Sequence, residues 1–139
     1  MSIEPGTYRI HTFSDYDRVI GVDPNGERRK PVVVAAPYFP PSASTWNVAR
    51  GPDGLYVLSV GPDSAFDVGD KMFAEYGRLL FWRIEQYGHP YGFRIMKPDQ
   101  DLGWCIPNSK PLTQVQLKEV SSGPGVGAFL FSFESVPDE

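Results

Sequence analysis

The chain has one cysteine, Cys105, so an internal disulfide framework is excluded. Its setting, Gly103-Trp104-Cys105-Ile106-Pro107, reads as a short strand, and the thiol there reads as a small buried hydrophobe rather than a nucleophile. Histidine is nearly as scarce: His11 falls in an early strand and His89 in a Gly-His-Pro turn. The chain lacks a Gly-x-Ser-x-Gly elbow, a His-Glu-x-x-His pair and a glycine-rich loop opening a helix. The glycines of Gly123-Pro124-Gly125-Val126-Gly127 read as a hairpin between strands. The carboxylates Asp15, Asp17, Asp23, Asp53, Asp63, Asp99 and Asp101 are scattered through turns, and Asp99-Gln100-Asp101 offers too few ligands for a calcium loop. The expectation is a protein that is not an enzyme and uses no metal and no cofactor.

No apolar run approaches the roughly 20 residues that span a bilayer, which argues against a membrane partner. The opening Met1-Ser2-Ile3-Glu4-Pro5-Gly6 lacks the apolar core of a signal peptide, so cytoplasmic residence is expected. The net charge is −4 and the densest basic run is Arg28-Arg29-Lys30, so no nucleic-acid partner is expected. Helical periodicity is missing too. The best stretch, Lys71 to Tyr87, contains Gly77 and shows no 3.6-residue stripe.

What is present is an all-β pattern. Glycine and proline number 14 each, but Val, Ile, Tyr, Phe and Trp fill the spaces between them, which suits many short strands joined by turns. Three segments open alike: Gly6-Thr7-Tyr8-Arg9-Ile10, Gly54-Leu55-Tyr56-Val57-Leu58 and Tyr91-Gly92-Phe93-Arg94-Ile95. Three close alike: Trp46-Asn47-Val48, Trp82-Arg83-Ile84 and Phe131-Ser132-Phe133. The two markers keep phase, since Trp46 precedes Tyr56 by 56 − 46 = 10 residues and Trp82 precedes Phe93 by 93 − 82 = 11.

Each unit holds two further candidate strands. These are Arg18–Val22 and Val32–Ala36, then Ala65–Val68 and Met72–Tyr76, then Gly103–Ile106 and Gln114–Val120. Alternation puts Phe129, Phe131 and Phe133 on one face of the last strand. Turns are expected at 24–26, 51–54, 61–64, 88–90 and 121–127. Twelve strands in three four-strand repeats, about 6–50, 51–88 and 89–139, predict one β-trefoil domain over residues 1–139. Tyr8, Trp46, Tyr56, Trp82, Phe93 and Phe131 are its predicted core aromatics.

The residues also carry a family resemblance. Pro5-Gly6-Thr7-Tyr8-Arg9-Ile10-His11, Thr45-Trp46-Asn47-Val48 with Gly54 to Leu58, Asp70-Lys71-Met72-Phe73-Ala74 with Phe81 to Glu85, Gly103 to Pro107, and Phe131 to Val136 together resemble the mushroom (basidiomycete) β-trefoil serine protease inhibitors. The resemblance spans nearly the whole chain and rests mostly on core positions. It implies an inhibitor of serine proteases, suited to fungal defence or to control of endogenous proteases; the arginines of the loop named next point to a trypsin-like target, and a monomer is expected because nothing in the sequence requires a dimer. It also implies that the loop after the second strand presents the reactive bond. Here that loop comprises Pro24, Asn25, Gly26, Glu27, Arg28, Arg29 and Lys30, ahead of strand Pro31 to Val34.

The residue that would enter the protease S1 pocket, P1, is Arg29, Arg28 or Asn25. An S1 pocket ending in aspartate selects arginine. Asn25 instead belongs to an Asn-Gly pair suited to a turn tip. Lys30 is excluded as P1 because Pro31 would be P1′. Pro37 to Ser44, with Tyr38 and Phe39, forms either an exposed platform or a cover over the open end of the barrel.

Two alternatives share this fold. A ricin-B-like, carbohydrate-binding lectin would carry Gln-x-Trp near the end of each repeat, but those places read Ser44-Thr45-Trp46, Leu80-Phe81-Trp82 and Phe129-Leu130-Phe131. A cysteine (papain-like) protease inhibitor carries no short signature to test.

Overall fold

The computed structural model describes residues 3–25, 27–87, 89–120 and 126–137. Among them lie twelve β-strands, three short 3-10 turns and no α-helix. Among the described residues no helix is long and apolar enough to cross a membrane. The strands are β1 (Gly6–Thr12), β2 (Ile20–Val22), β3 (Lys30–Val34), β4 (Trp46–Arg50), β5 (Tyr56–Val60), β6 (Asp63–Val68), β7 (Lys71–Tyr76), β8 (Arg83–Tyr87), β9 (His89–Met96), β10 (Leu102–Cys105), β11 (Gln116–Glu119) and β12 (Phe131–Ser135).

Six of these strands close into a ring. β1 pairs with β12 and β4, β4 with β5, and β9 with both β8 and β12. The remaining gap is closed by the bridge between Tyr56 of β5 and Trp82, whose amides donate to each other's carbonyls at 2.8 Å. The ring explains the phased aromatics, because Tyr8 faces Trp46, Tyr56 faces Trp82 and Phe93 faces Phe131. Each opening aromatic is thus the cross-strand partner of its unit's closing aromatic.

The other six strands form the hairpins β2–β3, β6–β7 and β10–β11, and each hairpin touches the other two. Lys30 and Pro31 of β3 face Ala74 and Phe73 of β7, Gln116 of β11 faces Lys71, and Val33 bridges Gln114. Tight turns make this possible. Gly61 and Pro62 join β5 to β6, with Gly61 at φ 56°, the positive value a two-residue primed turn requires of its first residue.

Trp104 stands where ring and hairpins meet. It is fully buried, and its indole packs edge-on against Trp46 and Trp82 at 5.8 Å and Phe131 at 6.2 Å. The indole N–H of Trp46 donates to the Ile20 carbonyl and that of Trp82 to the Ala65 carbonyl, tying closing strands to hairpins. The Trp104 indole N–H has no acceptor among the described residues.

The expected core is observed at Trp46, Tyr56, Trp82, Phe93 and Phe131, all buried, whereas Tyr8 is half-buried. Tyr8 packs edge-on against Phe133 and donates its hydroxyl to the Glu4 carbonyl. Several expectations need correction. Phe129 lies in a 3-10 turn, so β12 begins only at Phe131. Of the expected turn at 88–90, His89 and Pro90 run in β9, and residue 88 lies outside the described residues. The same holds for 121–125 of the expected turn at 121–127. Phe39 is buried against Val33, Ala36 and Ala43 in a small cluster separate from the main core, while Tyr38 is exposed.

Trp104→Ala is expected to destabilise the protein by about 3–5 kcal/mol, the usual range for deleting a buried aromatic. Trp104→Phe is expected to cost clearly less, because it keeps ring contacts and removes an unpaired buried donor. Urea unfolding of both variants checks this.

Candidate functional site

The loop between β2 and β3 leaves the hairpin layer at Asp23. The Asp23 carboxylate accepts the Asn25 amide at 2.9 Å, a local turn that turns the chain outward. Pro24, Asn25, Glu27, Arg28 and Arg29 are exposed. Gly26 lies outside the described residues. Lys30 belongs to β3 rather than to the loop, because its backbone already faces Ala74 of β7.

The returning limb meets β6 and β7, and each residue of it uses a different interaction. The Lys30 ammonium meets the Asp63 carboxylate at 3.1 Å, with both groups largely buried. The Arg29 guanidinium lies over the Phe73 ring, 5.7 Å from its centre. Arg28 Nε is 3.7 Å from Glu75 Oε2, while its side chain remains 85% exposed.

Glu75 is the less obvious member of this group. Its side chain is only 10% exposed, and the same oxygen accepts the Arg78 guanidinium at 3.3 Å from the turn after β7. Arg78 also lies over the Phe66 ring at 4.5 Å. Phe66 and Phe73 are cross-strand partners, their rings 6.3 Å apart. An aromatic pair on β6 and β7 therefore carries two guanidiniums, and one carboxylate joins the β2–β3 loop to the β7–β8 turn. Sequence reasoning missed Glu75 and Phe73, since both look like ordinary members of an alternating strand.

The one described histidine side chain is engaged structurally. His11 is buried, stacked on Tyr16 at 3.9 Å, and held between the Tyr16 carbonyl at 2.7 Å and the Glu134 carboxylate at 2.8 Å. No group of three His, Cys, Asp or Glu is placed to hold a metal ion among the described residues. Burial pushes the Cys105 thiol above its ordinary pKa, and Lys118 opposes this only in part.

A rigid barrel with an exposed, pinned loop defines a binding scaffold, whose chemistry resides in its loops. The family model described as Peptidase inhibitor I66 matches residues 1–134, and the chain belongs to that family. It is a peptidase inhibitor rather than an enzyme. No curated protein matches the sequence.

Among solved structures, a proteinase inhibitor from Coprinopsis cinerea is 23% identical with a TM-score of 0.81, covering 97% of this chain and 100% of that one. A Macrolepiota procera ricin B-like lectin, solved with lactose, is 15% identical with a TM-score of 0.79, covering 98% and 100%. A designed three-fold symmetric protein, ThreeFoil, is 12% identical with a TM-score of 0.78, covering 94% and 99%. At these identities the likenesses establish a shared β-trefoil fold.

Because the folded state favours the neutral Cys105 thiol, native protein is expected to react with a disulfide reagent at pH 8 more slowly than unfolded chain. Stability drawn from that preference is present below the unfolded pKa and is lost as pH rises toward the raised native one. Labelling rates with and without denaturant check this.

Proposed function

We propose that the protein inhibits trypsin-like serine proteases as a substrate mimic, presenting residues 23–29 to the cleft with Arg28 as P1. The observation that carries this reading is the contrast between an 85% exposed Arg28 side chain and the pinned residues that follow it. An S1 pocket ending in aspartate accepts a guanidinium directly. Arg29 suits P1 less well, because its guanidinium lies over Phe73 and its P1′ residue would be Lys30, already paired in β3.

Rigidity is what separates an inhibitor from a substrate. A loop held in its bound shape loses little entropy on docking, and a cleaved bond whose ends stay in place religates. The Asp23 turn, the Phe73 contact and the Lys30–Asp63 pair hold the two limbs of the loop. Pro24 and Pro31 restrict its backbone further.

The scaffold belongs to the same reading. Residues 6–50, 51–88 and 89–139 are taken as three trefoil repeats, supported by three equivalent aromatic pairs and three mutually touching hairpins. The protein is taken to act as a monomer. A lectin function is the weaker alternative, since Ser44, Leu80 and Phe129 stand where Gln-x-Trp would place glutamine.

Wild type is expected to inhibit trypsin, and Arg28→Ala to raise Ki by about 100-fold or more, the range of a dominant contact residue. Asn25→Ala and Arg29→Ala are expected to cost far less. If Asn25→Ala abolishes inhibition instead, P1 lies at the turn tip. Inhibition of papain but not trypsin by the wild type would move the protein to the cysteine-protease class.

A further inference from the structure

A loop of seven residues, 23–29, is too small to form a protease interface alone. Such interfaces engage about 20–30 residues a side and bury roughly 800 Å² of each partner. The remaining footprint must come from surface that adjoins the loop and keeps a fixed relation to it.

One neighbouring surface meets both conditions. Lys30 faces Ala74 and Pro31 faces Phe73, and Arg28, two residues before that pairing begins, approaches Glu75, the neighbour of Tyr76 in β7. Beyond Tyr76 the chain turns at Gly77 and runs through Arg78 and Leu79. Tyr76 is 71% exposed and Leu79 is 68% exposed. Their backbone is anchored by Arg78, which binds the Glu75 oxygen that Arg28 also approaches and lies over Phe66. Two large apolar side chains thus stand in water at the end of β7 and on the segment that follows it, which is joined to the loop through one carboxylate.

We propose that Tyr76 and Leu79 form a second contact point for the protease, an apolar anchor that docks on the enzyme surface beside the active-site cleft, outside the S1 pocket. This rests on the reading of residues 23–29 as the reactive loop and names the rest of its partner surface. The chemistry fits an interface centre: tyrosine gives a large contact area for two torsions, and its hydroxyl stays compatible with water when the protein is free. The pairing of β3 with β7 fixes the distance between anchor and loop, so both are engaged by one rigid-body approach. P1 then selects the residue type cleaved, while the anchor selects among enzymes with the same S1 pocket.

The test is inhibition of trypsin by full-length wild type, Tyr76→Ala, Leu79→Ala and the double variant, with dissociation rates, thermal unfolding and the rate of inhibitor cleavage. The double variant is expected to raise Ki by about 10- to 100-fold, mainly through faster dissociation. Its thermal stability is expected to be unchanged, since both side chains are exposed. Cleavage at residues 23–29 is expected to be no faster than in wild type.

A double variant that inhibits within about twofold of wild type overturns the anchor while leaving the reactive loop standing. Weaker inhibition with faster cleavage also overturns it, because the pair would then be supporting the loop rather than touching the enzyme. A concentration-dependent dimer of the wild type that the double variant abolishes assigns this surface to a second copy and overturns the proposal. If the wild type fails to inhibit trypsin, or Arg28, Arg29 and Asn25 are all dispensable, the reactive-loop reading fails first and the anchor with it.

Discussion

The structure depends on the packing of Trp104 against Trp46, Trp82 and Phe131. Three strand-closing aromatics converge on the ring's interior, and one indole from the third hairpin fills the space between them. Two closing residues are tryptophans that tie the ring to the hairpin layer by hydrogen bonds to Ile20 and Ala65. Phe131 has no N–H for such a tie, and in the third unit the tryptophan sits on the hairpin strand itself. The ring is therefore closed by an asymmetric plug. A Trp104 N–H without an acceptor among the described residues costs about 1–3 kcal/mol. Three edge-to-face contacts at about 0.5–1.5 kcal/mol each, added to the burial of a whole indole, outweigh that cost.

This centre leaves the loops free of structural duty. Because hairpins meet hairpins through β3, β7 and β11, the position of β7 relative to β3 is set by backbone pairing. Side chains then act on that fixed spacing. Phe73 and Glu75 stand where the returning limb of the β2–β3 loop passes, so Arg29 and Arg28 find partners without any ordering of β7. Each contact is weak alone. An exposed ion pair is worth about 0–1 kcal/mol and an exposed cation–π contact about 0.5–1. Their effect comes from acting on consecutive residues of one short limb, whose neighbour Lys30 is already part of a strand.

The strand pattern was legible because period-two alternation and recurring aromatic markers are local signals, and Tyr8, Tyr56 and Phe93 proved to be cross-strand partners of Trp46, Trp82 and Phe131. Trp104 was not legible as the hub. It lies outside both markers, and only closure of the ring brings its side chain to the centre. Glu75 was hidden for a related reason. A glutamate in an alternating strand reads as solvated, and its burial follows from two arginines 47 residues before and 3 residues after it, as 75 − 28 and 78 − 75 give. Phe39 and Tyr38 were read as a pair, yet the structure divides them because Val33, Ala36 and Ala43 offer a pocket for only one ring.

The shared carboxylate also bears on how Arg28 could leave its place for a protease pocket. Withdrawing one partner from a largely buried ion pair normally leaves an uncompensated charge, at a cost of about 3–5 kcal/mol. Here the Arg28 end is exposed and its nitrogen sits 3.7 Å away, beyond hydrogen-bond range, so little is lost when it departs. Arg78 remains on the same oxygen at 3.3 Å and over Phe66, so Glu75 stays neutralised. In the proposed complex Arg28 exchanges a weak carboxylate partner for the aspartate at the base of S1, and the clamp behind it does not open. That division of labour, with Arg78 holding Glu75 and Glu75 only guiding Arg28, lets a pinned loop present a free side chain.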